Sequence, residues 1–82
     1  MKKNIMINNK VYLTDDAIDV EPTDILIVEF VDGFDGTKLI RPVFASQLEE
    51  YETPITLIKK NLYHECYDIY QLEEGEVKDD QN

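Results

Sequence analysis

The sequence predicts a small α+β domain: an antiparallel sheet of two β-hairpins with a short helix and a longer C-terminal helix. Three observations carry that expectation. The densest apolar run, Ile25–Val31, passes through an Asp/Gly-rich turn signal into a second strand-like run, Thr37–Phe44. A shorter pair of runs flanks Asn8-Asn9. Beyond Pro54, the residues Ile55, Ile58, Leu62, Cys66, Ile69 and Leu72 recur at helical spacing.

The elements follow in order. Asn4–Ile7 and Lys10–Thr14 read as a first hairpin, because Asn tolerates the positive φ that a two-residue hairpin turn needs. Asp15–Thr23 is an acidic loop, in which Thr14 is placed to cap one helical turn at Asp15-Asp16-Ala17. Pro22 ends anything regular before it, and Ile18 and Val20 are candidates to dip into the core. In Ile25–Asp32, Leu26, Val28 and Phe30 make one face and Ile25, Ile27, Glu29 and Val31 the other. Both faces are mainly apolar, which predicts a strand covered on both sides. The turn Asp32–Gly36 returns into Thr37–Phe44, which Pro42 assigns to a sheet edge.

Ser46-Gln47-Leu48-Glu49 matches a capping box and predicts a short helix. Thr53-Pro54 is itself a helix-start signal, and Gly75 suits a position just past a helix end. A helix over about Pro54–Glu73 follows, with Leu57 its one misfit. The rival is a pair of strands, since Ile, Thr and Tyr favour sheets and 67–72 alternates. Residues 1–76 thus read as a single domain and 77–82 as a flexible acidic tail.

Composition narrows the function classes. The chain has 82 residues and a net charge of −10, from 18 acidic and 8 basic residues. Such a surface attracts basic partners and disfavours direct contact with nucleic acid or an anionic membrane, both of which call for Lys and Arg. The single cysteine, Cys66, rules out an internal disulfide and fits a reducing compartment. No apolar run approaches a membrane span or a signal peptide, so the expected location is cytoplasmic, in the host bacterial cytoplasm if a phage encodes the chain.

Catalytic chemistry finds little purchase. His64 and Cys66 are the one base and nucleophile pair by type, but two residues apart on a helix they do not face each other. The expectation is Cys66 in the core and His64 on the surface. One Cys and one His do not make a zinc site. Asp15, Asp16, Asp19, Glu21 and Asp24 invite a calcium reading, yet the stretch lacks a central Gly and contains Pro22. The glycines of Asp32–Gly36 lack the Lys-Ser/Thr and helix of a phosphate loop. No enzyme, cofactor or metal is expected. Phe34, at the tip of that turn, either anchors an interface or folds back onto the sheet.

The acidity is the main functional clue. Asp15, Asp16, Asp19, Glu21 and Asp24 form one group, Asp32 and Asp35 a second, and Glu49, Glu50 and Glu52 a third. Solubility alone is one explanation. The other is a folded body that sets carboxylates in rows, at spacings comparable to duplex phosphates, about one charge per 1.7 Å of axis.

In size, charge, lone cysteine and lack of catalytic motifs, the chain resembles the small acidic inhibitors that bacteriophages make against host DNA-binding proteins. These are DNA mimics whose carboxylates stand in for phosphates. The resemblance implies a basic DNA-binding protein of the host as partner, with the HU nucleoid protein a reasonable first guess. Such an inhibitor of a two-fold symmetric target could itself be a homodimer. The partner surface would comprise the three acidic groups together with Phe34. The alternative is an adaptor that binds RNA polymerase or another host protein through a sheet edge or an aromatic anchor, Phe34 or the Tyr63, Tyr67 and Tyr70 group.

Overall fold

The computed structural model describes residues 2–15 and 18–75. The fold is nearly all β. A three-stranded sheet of order β1-β2-β7 packs on a four-stranded sheet of order β4-β3-β5-β6, with every pairing antiparallel. The strands are β1 (Lys3–Ile7), β2 (Lys10–Thr14), β3 (Ile25–Val31), β4 (Lys38–Phe44), β5 (Thr53–Asn61), β6 (Cys66–Gln71) and β7 (Glu73–Glu74). Ile5, Ile7 and Tyr12 of the smaller sheet meet Leu26, Val28, Val43 and Leu57 of the larger one, with Leu72 closing the core.

Both expected hairpins form. Asn8 and Asn9 take φ of 49° and 64°, the paired left-handed conformation of a tight hairpin turn. In the second turn Gly36 supplies φ 75°. Asp32 and Asp35 hold that turn by accepting backbone N–H bonds from Phe34 at 2.7 Å and Thr37 at 2.9 Å. Pro42 does lie on an edge strand, opposite Ile27. Ile18 and Val20 pack against the core.

The long C-terminal helix is not there, and the α+β assignment falls with it. Residues 53–71 form two strands joined by the turn Leu62–Glu65. The helical spacing has a local cause. Ile27 pairs with Thr56 but Val28 with Pro54, so β5 carries a bulge that leaves Ile55 over. A bulge turns a period of two into a step of three, and the buried Pro54 and Leu57 stand three apart as on a helix. The bulge also explains how a central strand tolerates Pro54, which has no N–H to give the ladder. The carbonyl of Ile55 accepts from Leu72 N at 3.0 Å. Of the residues counted toward a helical face, Leu62 opens an exposed hairpin turn and Cys66 is the exposed first residue of β6 after it. Cys66 is therefore exposed rather than core, while His64 is at the surface as expected.

The short helix reduces to one 3-10 turn, Ala45–Gln47. Ser46 does not cap it: no side chain does, and the Ser46 N–H donates instead to the carbonyl of Pro22 at 3.1 Å. Gly75 ends a strand, not a helix. Its N–H reaches the carbonyl of Val11 at 2.9 Å, and a Cβ there would lie 2.8 Å from a Val11 methyl. The turn expected at Asp15-Asp16-Ala17 and the tail 77–82 lie outside the described residues.

β3 departs from expectation on one face. Leu26 and Val28 are fully buried, whereas Ile25 and Ile27 are only half-buried and Val31 is exposed. Among the described residues, the larger sheet is covered on its inner face alone.

Candidate functional site

The nominated carboxylates divide by what holds them. Asp24 and Glu52 are buried and engaged internally. The Asp24 carboxylate accepts from Lys59 Nζ at 2.5 Å and from the Glu21 N–H at 2.8 Å, tying the β2–β3 loop to β5. Glu52 accepts from Arg41 Nε at 2.5 Å and from the Glu49 N–H at 3.0 Å, tying the β4–β5 loop to β4. Burial alone would push the Glu52 carboxyl up. The bonds from Arg41 and Glu49 and the guanidinium charge outweigh it and hold the carboxyl below the ordinary range. Arg41 also lies 5.8 Å from the Phe30 ring, which meets Tyr51 edge-on.

The others lie at the surface. Asp15 pairs with Lys2 at 3.3 Å, and Lys2 also reaches Glu73, also at 3.3 Å, so the lysine joins the β2 end to β7. Asp19 and Glu21 are exposed on the β2–β3 loop, with Glu21 3.7 Å from Lys59. Asp32 and Asp35 brace the β3–β4 turn. Hydrogen bonds with Thr37 hold the Asp35 carboxyl below its usual range. Glu49 and Glu50 are exposed beside a cleft of about 550 Å³ between the β1–β2 turn and the β4–β5 loop. Asn8 Nδ2 donates to the Leu48 carbonyl across that cleft at 3.3 Å. Asp16 lies outside the described residues. The exposed carboxylates thus stand on loops and turns around the sheets. Among the described residues, no group of three or more His, Cys, Asp and Glu is placed to hold a metal ion.

Phe34 does not fold back; it is fully exposed at the tip of the β3–β4 turn. Beyond Glu29, β3 pairs with β4 alone, so this tip ends a two-stranded arm. At the opposite end, beyond Ile58, β5 and β6 form a second such arm, whose turn exposes Leu62 and Tyr63. There Asn61 Oδ1 accepts from the N–H groups of Tyr63 and His64, the Asx-type signal that marks this turn in the sequence. Of the tyrosine group, Tyr63 and Tyr67 are exposed and Tyr70 packs against the core.

One surface has no counterpart in the sequence reading. On the outer face of the larger sheet, Phe44, Ile25, Ile58 and Ile69 stand in register across all four strands. The adjacent row is Pro42, Ile27, Thr56 and Gln71. Beside the first row runs a groove of about 490 Å³, bordered by Leu62 and Tyr67 and also by the charged Glu21, Asp24, Lys59 and Lys60. The signal that could have found this face is the apolar second face of β3 itself.

Compared with protein-family models, curated proteins and solved structures, the chain matches none. No helix among the described residues is long and apolar enough to cross a membrane.

Proposed function

We propose that the protein is a non-enzymatic acidic inhibitor that occupies the DNA-binding surface of a basic host protein, with an HU-type nucleoid protein as first candidate. One observation carries this reading: Asp15, Asp19, Glu21, Asp32, Asp35, Glu49 and Glu50 stand on surface loops and turns of a chain with net charge −10. That excess is comparable to the roughly 6–10 phosphates a DNA-binding protein neutralises. The β3–β4 turn is braced by two of its own Asp carboxylates, so part of this charge is held in place before any partner arrives. The buried Asp24 and Glu52 serve the fold, not the partner.

The test is competition. An HU-type protein on labelled duplex should release the DNA as the acidic protein is added. The release should weaken steeply between about 50 and 200 mM salt. Asp19→Asn, Glu49→Gln and Glu50→Gln together should weaken it without unfolding the chain. Failure to free DNA from HU, or from other basic proteins captured at low salt, overturns the reading.

A second reading, an adaptor for a non-DNA-binding partner such as RNA polymerase, is favoured by the full exposure of Phe34. It expects Phe34→Ala to abolish partner capture and the carboxylate substitutions to leave it unchanged.

A further inference from the structure

We propose that the outer face of the four-stranded sheet is the interface between two copies of this chain, packed sheet on sheet about a two-fold axis. This stands apart from the inhibitor reading. Its basis is a mainly apolar face, with Glu29, Lys38 and Lys60 as its outward charges, on a highly charged protein. Phe44 and Ile69 at the two ends of the in-register row are 50 % and 64 % exposed, and Ile40 nearby is 65 % exposed. Contiguous apolar patches beyond a few hundred Å² mark interaction surfaces. Here the whole outer face, four strands about 4.8 Å apart over about seven residues of about 3.3 Å each, is roughly 450 Å² in projection, and apolar side chains hold the larger part of its outward positions. The accessible area of such a corrugated surface is larger, which puts it near the low end of specific interfaces, about 600 Å² per partner.

Charge selects the occupant. Among the described residues, Glu29 is the one carboxylate at an outward position of this sheet, and it lies 3.7 Å from Lys38. Lys60, opposite Tyr67, is the other charge there. A basic partner finds only lysine-paired carboxylates here, Glu29 beside Lys38 on the face and Glu21 beside Lys59 at its rim, and two outward lysines are too few to hold a nucleic acid. A second copy meets its own apolar rows, and among the described residues the exposed Asp15, Asp19, Glu21, Asp35, Glu49 and Glu50 stand on loops and turns rather than at outward positions of these strands. An isologous contact also lets each Phe44–Ile69 row lie across the partner's equivalent row, at the near-aligned angle at which twisted sheets pack.

Salt gives the contact a signature opposite to that of an acidic surface on a basic target. Screening the mutual repulsion strengthens the dimer, while the same salt weakens binding to a basic protein. Sedimentation velocity of the full chain, from about 1 to about 500 μM, should show the 9.6 kDa monomer giving way to a dimer of twice that mass. The transition should move to lower concentration between about 50 and 500 mM NaCl. Ile69→Lys and Phe44→Lys, each at an exposed position, should raise the midpoint concentration at least tenfold while keeping the β-type circular dichroism. Ile40→Lys is a third variant should either of those fail to fold. Phe34→Ala, off this face, should leave the association unchanged. A monomer throughout the range overturns the proposal. So does a dimer that the folded lysine variants leave intact, since that dimer uses another surface. Failure of DNA displacement would leave this result untouched, and a monomer would leave the displacement test untouched.

Discussion

The two faces of the four-stranded sheet are built from the same strands and nearly the same residue types, yet they live in different environments. Inward, Leu26, Val28 and Leu57 have no exposed surface. Outward, their immediate neighbours Ile25, Ile27 and Ile58 are half-covered, and Ile69 at the sheet edge is open to solvent. What differs is the second layer. β1, β2 and β7 cover the inner face, and three strands with five-residue and two-residue lengths are enough to cover only one side. Apolar alternation therefore says that a face wants cover; it does not say whether the chain itself supplies it. The inner face holds the fold, and the outer face is left uncovered by the described residues.

The largest expected effect lies at the centre of the inner face. Leu57 is completely buried between the sheets. Leu57→Ala should cost about 2–5 kcal/mol, the range for a buried leucine in a core that relaxes only partly. Urea denaturation at a concentration low enough to keep the chain monomeric measures it. A cost under about 1 kcal/mol would mean that the two sheets are not packed as a core, and the contrast between faces would fail.

A smaller effect is expected at the rim of the same face, where Glu52 is buried against Arg41. Arg41 is half-exposed, so the pair is partly screened, and Glu52→Gln should cost about 1 kcal/mol at neutral pH. The pH dependence identifies the cause. The folded chain holds the Glu52 carboxyl below its ordinary value of 4.5. Its contribution is therefore present above that value and lost as pH falls through the lower, folded one. Acidification also relieves the self-repulsion of the −10 chain, so the informative quantity is the gap between the native protein and Glu52→Gln. That gap should be full at pH 7 and close as the solution is taken below 4.5. A gap that persists in acid would assign Glu52 a packing role rather than an ionic one.

How much of this was legible in the sequence depends on whether the determinants are local. Asn8-Asn9 and Asp32–Gly36 fix their turns through nearest-neighbour chemistry, so both hairpins and the edge position of Pro42 could be read directly. The region 53–72 could not, because its register depends on β3. The bulge at Ile55 exists to bring Pro54 and Leu57 onto the inner face against Val28 and Leu26, and its side effect is a helix-like step of three. Leu57, the misfit of the helical reading, was the useful sign, since the misfit is the most deeply buried residue of the strand. Asn61 was another, as the Asx residue of a turn. For the acidic residues, sequence gave their number but not their use: Asp24 and Glu52 differ from Asp19 and Glu49 only in having Lys59 and Arg41 brought to them by distant strands.

The smallest effect on stability, and the one that separates the faces most sharply, belongs to Ile69. It is apolar, sits in a strand, and lies in register with Ile58 and Ile25, so by sequence it ranks with Leu57. By position it has little cover to lose. Ile69→Thr keeps the β-branched shape that suits a strand and removes apolar surface only on the solvent side. In the monomer it should change the unfolding free energy measured in urea by less than about 0.5 kcal/mol, as exposed substitutions do. At concentrations where the chain self-associates, the same substitution should lower the apparent stability of the native protein toward that of the monomer, because ligation by a second copy is lost. A cost that is the same at both concentrations would put Ile69 in the core of the single chain. A cost that appears only at high concentration is what a face completed by another molecule requires.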